Sequence, residues 1–140
     1  MKLKMSKDDL QAFMTAEFPQ AGGKYLIQDL APLQITVRMT VTEANLRPGG
    51  TVSGPSMFGL ADISMYLAIL AMIGPQALAV TTNCSIDFMR KPAAGVDMIG
   101  KAKVLKLGRV LAVGDVLLFS EGQAAPVARA GMTYSIPPKA

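Results

Sequence analysis

One stretch constrains this chain more than any other: GGTVSGPSMFGLADISMYLAILAMIG, from Gly49 to Gly74. Gly54 and Pro55 sit where a helix would begin, because proline's fixed φ suits the first helical turn. Gly74-Pro75 sits where it must stop. Between them Met57, Phe58, Leu60, Ile63, Met65, Leu67, Ile69, Leu70, Met72 and Ile73 put apolar groups on nearly every side. Such a helix is a buried one, and the pattern predicts it over residues 54–73. A run of about 18 apolar residues would also be long enough to span a membrane, but Asp62 lies inside this one. A carboxylate there is costly unless something pairs with it or uses it. We therefore read a core helix and expect no membrane partner.

The rest of the chain reads as material to wrap that helix. Ser6 caps an amphipathic helix over residues 7–18, with Leu10, Phe13, Met14 and Phe18 at helical spacing and Pro19 closing it. Residues 24–30 are a plausible strand. In residues 33–43, Ile35, Val37, Met39 and Val41 alternate with polar residues, as in a half-buried strand. After Pro75 four strands follow over residues 79–136, joined by turns near Pro92–Gly95, Gly108-Arg109 and Glu121-Gly122. They read as an antiparallel meander. In the first of them Val80, Thr82, Cys84, Ile86 and Phe88 would face one way, and Thr81, Asn83, Ser85 and Asp87 the other. One sheet cannot cover a helix that is apolar all round. The expectation is an α+β fold, a curved antiparallel sheet wrapped on one long helix, with a second copy of the chain closing the open side.

Composition narrows the chemistry. At 140 residues the chain is expected to be a single domain, 1–140. It has no histidine, which removes His-based general-base catalysis and the commonest zinc ligand. One cysteine, Cys84, gives no disulfide framework and no thiolate cluster, so no metal site and a reducing cytoplasmic compartment are expected. Asp8 and Asp9 interrupt any apolar signal core near the start, and no secretory signal is read there. The net charge of +4 invites anionic partners. With 6% aromatic residues and no tryptophan, a stacking surface for nucleic acid is poorly supported, and no nucleic-acid partner is expected.

Gly54 and Asp62 are the candidate pair. Free N–H groups and the positive dipole end at Gly54 suit a developing oxyanion. Asp62, eight residues on, is about 12 Å away along the axis. The two cannot act on one bond within a chain. They can if two such helices pack antiparallel, which gives two composite sites per dimer. The plainer alternatives are a helix-start glycine, and a carboxylate satisfied by Ser64, Tyr66 or Arg38.

At these residues a resemblance enters. SGPSMFGLAD is similar to the H-G-G-x-x-x-x-L-A-D signature of PaaI-type hotdog thioesterases, and the likeness continues through TTNCSIDFMRKPAAG, VLKLGRVLAVGDVLLF and VARAGMTYSIP. It extends from about Leu46 to Pro137. It implies the hotdog fold and hydrolysis of acyl-CoA thioesters by a homodimer or dimer of dimers. Coenzyme A would be part of the substrate, with no separate cofactor. Gly54 matches the glycine whose N–H polarises the thioester carbonyl. Asp62 matches the carboxylate that activates water or attacks directly. Thr81 matches a hydroxyl that places the water; its alternative is a solvent-facing strand threonine. The sequence departs from the signature where Ser53 replaces the histidine, Arg47 an asparagine six residues earlier, and Pro55 the second glycine. Ser53 retains a hydroxyl to offer the thioester.

Coenzyme A carries phosphates, so basic residues should line its path. Arg90, Lys91, Lys101, Lys103, Lys106 and Arg109 face a single acid, Asp97, in residues 90–109. Arg90, Lys91, Lys106 and Arg109 are the chosen phosphate contacts; a solvated strand face is the plainer reading. Met57, Phe58, Met65 and Tyr66 line an acyl pocket or fill the core. A non-catalytic acyl-CoA or fatty-acid binding protein on the same fold is the alternative function. A hotdog dehydratase would need a histidine base that this chain lacks.

Overall fold

The computed structural model describes residues 2–21 and 23–138. Helix α1 spans Lys7–Glu17. Its capping box is complete: the Asp9 N–H donates to Ser6 Oγ at 3.1 Å, and the Ser6 N–H donates to Asp9 Oδ2 at 2.9 Å. Leu10 and Met14 carry its buried face. Strands β1 (Tyr25–Ala31) and β2 (Gln34–Met39) follow, then a short 3-10 turn at Glu43–Asn45 and helix α2 at Gly54–Ile73. Strands β3 (Val80–Phe88), β4 (Met98–Leu107), β5 (Leu111–Ser120) and β6 (Ala128–Ser135) complete the order.

All six strands form one antiparallel sheet in the order β1-β2-β4-β5-β6-β3. Its inner face supplies Ile35, Val37, Met98, Val116, Leu118 and Met132, all buried against α2. Each fully buried Leu, Ile or Met contributes about 1.5–3 kcal/mol. This is the hotdog fold, α+β, with α2 as its centre. Two glycines let the helix approach the sheet. A Cβ on Gly100 would stand 2.5 Å from Ser64 Oγ, and one on Gly114 would stand 2.4 Å from Met65 Cε and 2.5 Å from the Lys103 carbonyl oxygen.

Three expectations change. The last four strands are not a simple meander: β4, β5 and β6 are consecutive, but β3 crosses to the outer edge beside β6. The Met89 and Arg90 N–H groups both donate to the Val127 carbonyl, which carries the chain over that edge before β4 begins. The second strand stops at Met39 instead of reaching Glu43. The Val41 N–H leaves the ladder and donates to Asp97 Oδ1 at 2.9 Å. Finally, strict alternation fails in β3. The register with β6 shifts between Thr81 and Asn83, so Thr82 is an extra residue. Thr81 therefore shares the more sheltered face with Cys84 and Ile86.

Two surfaces are left without cover by this chain. On α2, Pro55 and Phe58 are exposed while Gly59, Asp62 and Ile63 are half-buried, a stripe at helical spacing. Along the outer edge, β3 holds no lysine, arginine or proline to blunt pairing, and Val80 and Phe88 are 53% and 51% exposed. α2 is long and apolar enough to cross a membrane, yet most of it is buried against the sheet and α1.

Candidate active site

Asp62 sits in the third turn of α2, half-buried, facing the β6–β3 side of the sheet. Its Oδ1 accepts a hydrogen bond from Thr81 Oγ1 at 2.6 Å and a short one from the Tyr134 hydroxyl. The Tyr134 hydroxyl also lies 2.7 Å from the main-chain carbonyl oxygen of Asp62. Oδ2 accepts nothing from the described residues. Among those residues no buried side-chain oxygen lacks a partner, so Oδ2 keeps some exposure to solvent in the single chain. One carboxylate oxygen is held and the other is free.

The partners considered for Asp62 from sequence are engaged elsewhere. Arg38 pairs with Asp97 at 2.7 Å and with Glu121. The Ser64 hydroxyl donates to the Leu60 carbonyl at 2.7 Å, and the Tyr66 hydroxyl donates to the Ala77 carbonyl at 3.1 Å. Sequence reasoning does not single out Tyr134. Its signal is there all the same: residues 128, 130, 132 and 134 form the buried face of β6, and a tyrosine on such a face needs an acceptor.

The Asp62 charge reaches other groups. Burial and then that charge push the Tyr134 hydroxyl far above its ordinary range. The same two causes, in the same order, raise the Tyr25 hydroxyl and the Cys84 thiol. Tyr134 is therefore a hydrogen-bond donor throughout the working pH range.

At the start of α2, Ser53 is the N-cap, and its Oγ accepts from the Ser56 N–H at 3.3 Å. Pro55 has no N–H. The Gly54 N–H donates to nothing among the described residues, which leaves it as the free donor of this turn. Asn45, almost fully buried, holds the turn. Its carbonyl oxygen accepts from the Ser53 N–H at 2.7 Å, and its side-chain amide donates to Ser56 Oγ at 3.2 Å. The Phe88 ring lies 3.5 Å from where a Cβ on Gly54 would stand. Arg47 is exposed in the preceding loop, where its N–H donates to the Thr51 carbonyl at 2.8 Å.

Asp62 and Thr81 are brought together, as are Gly54 and Ser53, and the two pairs are eight residues apart on α2. The basic residues divide. Arg90 is exposed and donates to the Pro126 carbonyl at 2.8 Å, with Lys91 beside it, close to the α2 N-terminus through Phe88. Arg109 lines a pocket of about 740 Å³ with Ile73 at the opposite end of α2, and Lys106 is exposed three residues before it. A second pocket, of about 530 Å³, lies on the outer face of the sheet, and neither includes Asp62. Of the acyl-pocket candidates, Met57, Met65 and Tyr66 are core, and only Phe58 is exposed. Among the described residues no group of three or more His, Cys, Asp or Glu side chains is placed to hold a metal ion.

This fold, with a carboxylate in the central helix and a free N–H at its start, defines a class. The chain belongs to the thioesterase superfamily, whose family profile matches residues 49–127, more than half of its length. It is similar over 99% of its length, at 62% identity and a TM-score of 0.92, to a crystal structure from Silicibacter sp. TM1040 provisionally assigned as a thioesterase, 96% of which is covered. It is similar to a point mutant of the phenylacetic acid degradation protein PaaI from Thermus thermophilus, at 29% identity and a TM-score of 0.73, covering 85% of this chain and 99% of that one. A provisionally assigned esterase of Deinococcus radiodurans is 36% identical over 86 residues, 61% of this chain. The chain spans about half the length of that curated relative, 56% of which is matched. The PaaI-type resemblance thus holds in both sequence and fold.

Proposed function

We propose that the chain hydrolyses acyl-CoA thioesters as a homodimer or dimer of dimers in the cytosol, without metal or separate cofactor. The observation that carries this reading is the asymmetry at Asp62: Oδ1 accepts two hydroxyl protons while Oδ2 stays open on the uncovered stripe of α2. A carboxylate oxygen so presented can take a proton from water. The water oxygen bonds to the thioester carbonyl carbon, whose oxygen gains negative charge. The Gly54 N–H of a second copy meets that charge, a contribution of about 10²–10³ in rate for one such donor. Collapse of the adduct breaks the C–S bond, and the proton held by Asp62 goes to the departing thiolate. The products are the free acid and coenzyme A.

The arrangement of basic residues supports the dimer. If one copy's α2 N-terminus meets the other's Asp62, the helix bearing that Asp62 continues for eleven more residues, about 17 Å, to Ile73. Arg90 and Lys91 of the first copy and Lys106 and Arg109 of the second would then flank one site. Coenzyme A phosphates suit such a flank. The unpaired β3 edge and the exposed stripe on α2 are the surfaces that would meet.

Purified protein is assayed for thiol release against a panel of aromatic and straight-chain acyl-CoAs. Turnover is expected with at least one class, and Asp62→Asn or Asp62→Ala should remove it. Hydrolysis surviving either substitution at the original rate would refute the mechanism. The second reading, acyl-CoA or fatty-acid binding without turnover, is favoured by one observation: where the resemblance places a histidine, Ser53 serves as a helix cap through its oxygen and has only a neutral hydroxyl proton left to offer. Tight binding with no thiol released over hours would select it.

A further inference from the structure

Tyr134 touches Asp62 twice. Its hydroxyl lies against Oδ1 and 2.7 Å from the main-chain carbonyl of the same residue. The phenol has one proton, and sharing it in a forked bond between a side chain and its own backbone restrains the torsions between them. Thr81, which reaches Oδ1 alone, does not. Tyr134 can hold that position because it is itself fixed. It is 1% exposed on β6, and its ring stands 6.3 Å from that of Tyr66. Two hydroxyls on one carboxylate oxygen also draw charge toward that oxygen and leave the other to the solvent side.

We propose that Tyr134 is a positioning residue: it clamps Asp62 through Oδ1 and so selects Oδ2 as the oxygen that meets water. This rests on the reading of Asp62 as the base, and its test has a part that does not. A catalytic carboxylate must be held within a narrow range of angles, and a loosened one loses rate more than it loses binding. Tyr134→Phe keeps the ring and removes the hydroxyl.

Two measurements are made on this variant, with thermal unfolding to show that it is folded. In steady-state kinetics kcat should fall about 10- to 100-fold while KM stays within about twofold, the pattern of an interaction needed in the transition state. In infrared spectroscopy the Asp62 carboxylate bands are isolated by subtracting the spectrum of Asp62→Asn. The gap between antisymmetric and symmetric stretches should narrow in Tyr134→Phe, because the two oxygens become more alike. An unchanged gap overturns the clamp whatever the kinetics. Should Tyr134→Phe not fold, 3-fluorotyrosine at the three tyrosines of the intact chain makes the phenol a stronger donor. The gap should then widen, and no change again overturns the clamp. If instead Asp62→Asn still hydrolyses thioesters, the base reading fails separately from the infrared result.

Discussion

Thr81 Oγ1 lies 2.6 Å from Asp62 Oδ1, a contact between the edge strand and the central helix across nineteen residues of sequence. A hydrogen bond to a charged group is worth about 1.5–3 kcal/mol. Thr81→Val keeps the shape and removes the donor. We expect kcat to fall about tenfold, with Tm lowered by only a few degrees, measured by thiol release and thermal unfolding. A variant with unchanged kcat would return Thr81 to a purely structural role.

The backbone at Gly54 offers a second test. Its N–H is the free donor of the α2 start, and nothing crowds a methyl group there, since the nearest Phe88 atom would be 3.5 Å away. Gly54→Ala should keep activity within about threefold. On its N-terminal side proline suits this position, since Ser53 already holds φ −74° and ψ 156°, compatible with a following proline. Gly54→Pro removes the N–H and should cost about 10²–10³ in kcat; because residue 54 is helical and precedes Pro55, some Tm is lost as well, and thermal unfolding checks that the variant is folded. Equal activity of the two variants would show that this donor plays no part.

The β3 edge makes a prediction about assembly. Val80 is 53% exposed on a strand whose outer edge is unpaired in the chain. Lysine on such an edge opposes strand pairing. Val80→Lys should shift the protein toward monomer in light scattering and lower thioesterase activity in step. An active monomer would refute composite sites.

Asp97 predicts the acid response. The Val41 N–H and then the Arg38 guanidinium hold its carboxyl below the ordinary aspartate range, against an opposing effect of burial. A carboxyl with a depressed folded pKa adds stability above its unfolded value, about 3.9, and loses it as pH falls through the folded value. Asp97→Asn should therefore lower Tm at pH 7, and the fall in Tm below about pH 4 should be shallower than in the parent protein. A parallel acid profile would mean that Asp97 is not linked to folding.

Gly114 predicts a packing limit. A methyl group there would press on both Met65 and the Lys103 carbonyl oxygen, and the latter cannot swing away. Gly114→Ala should cost about 1–3 kcal/mol, read from urea unfolding. Full stability would mean that α2 can shift off the sheet.

The central helix was legible because its ends are written locally: Ser53-Gly54-Pro55 opens it, and Gly74, at φ 92°, closes it. Asp62 was legible as the one charge in an apolar run. Its partners were not. Arg38 looked available, but Asp97 and Glu121, 59 and 83 residues further along the chain, claim it only once β2 and β4 pair. Tyr134, 72 residues from Asp62, is brought to it by the order of strands. That order, with β3 outside β6, leaves no mark in strand periodicity. The division of Arg90 and Lys91 from Lys106 and Arg109 to opposite ends of α2 follows from β4, whose ten residues run the length of the sheet between them.

The bulge at Thr82 turns chain length into chemistry. Strict alternation through the same residues, without the bulge, would change no side chain at Asp62, Tyr134 or Thr81, yet it would put Thr81, three residues before Cys84, on the opposite face of β3. The Thr81 hydroxyl would then point away from the helix. A count of residues in an outer strand, and not only their identity, decides whether the central acid has its alcohol.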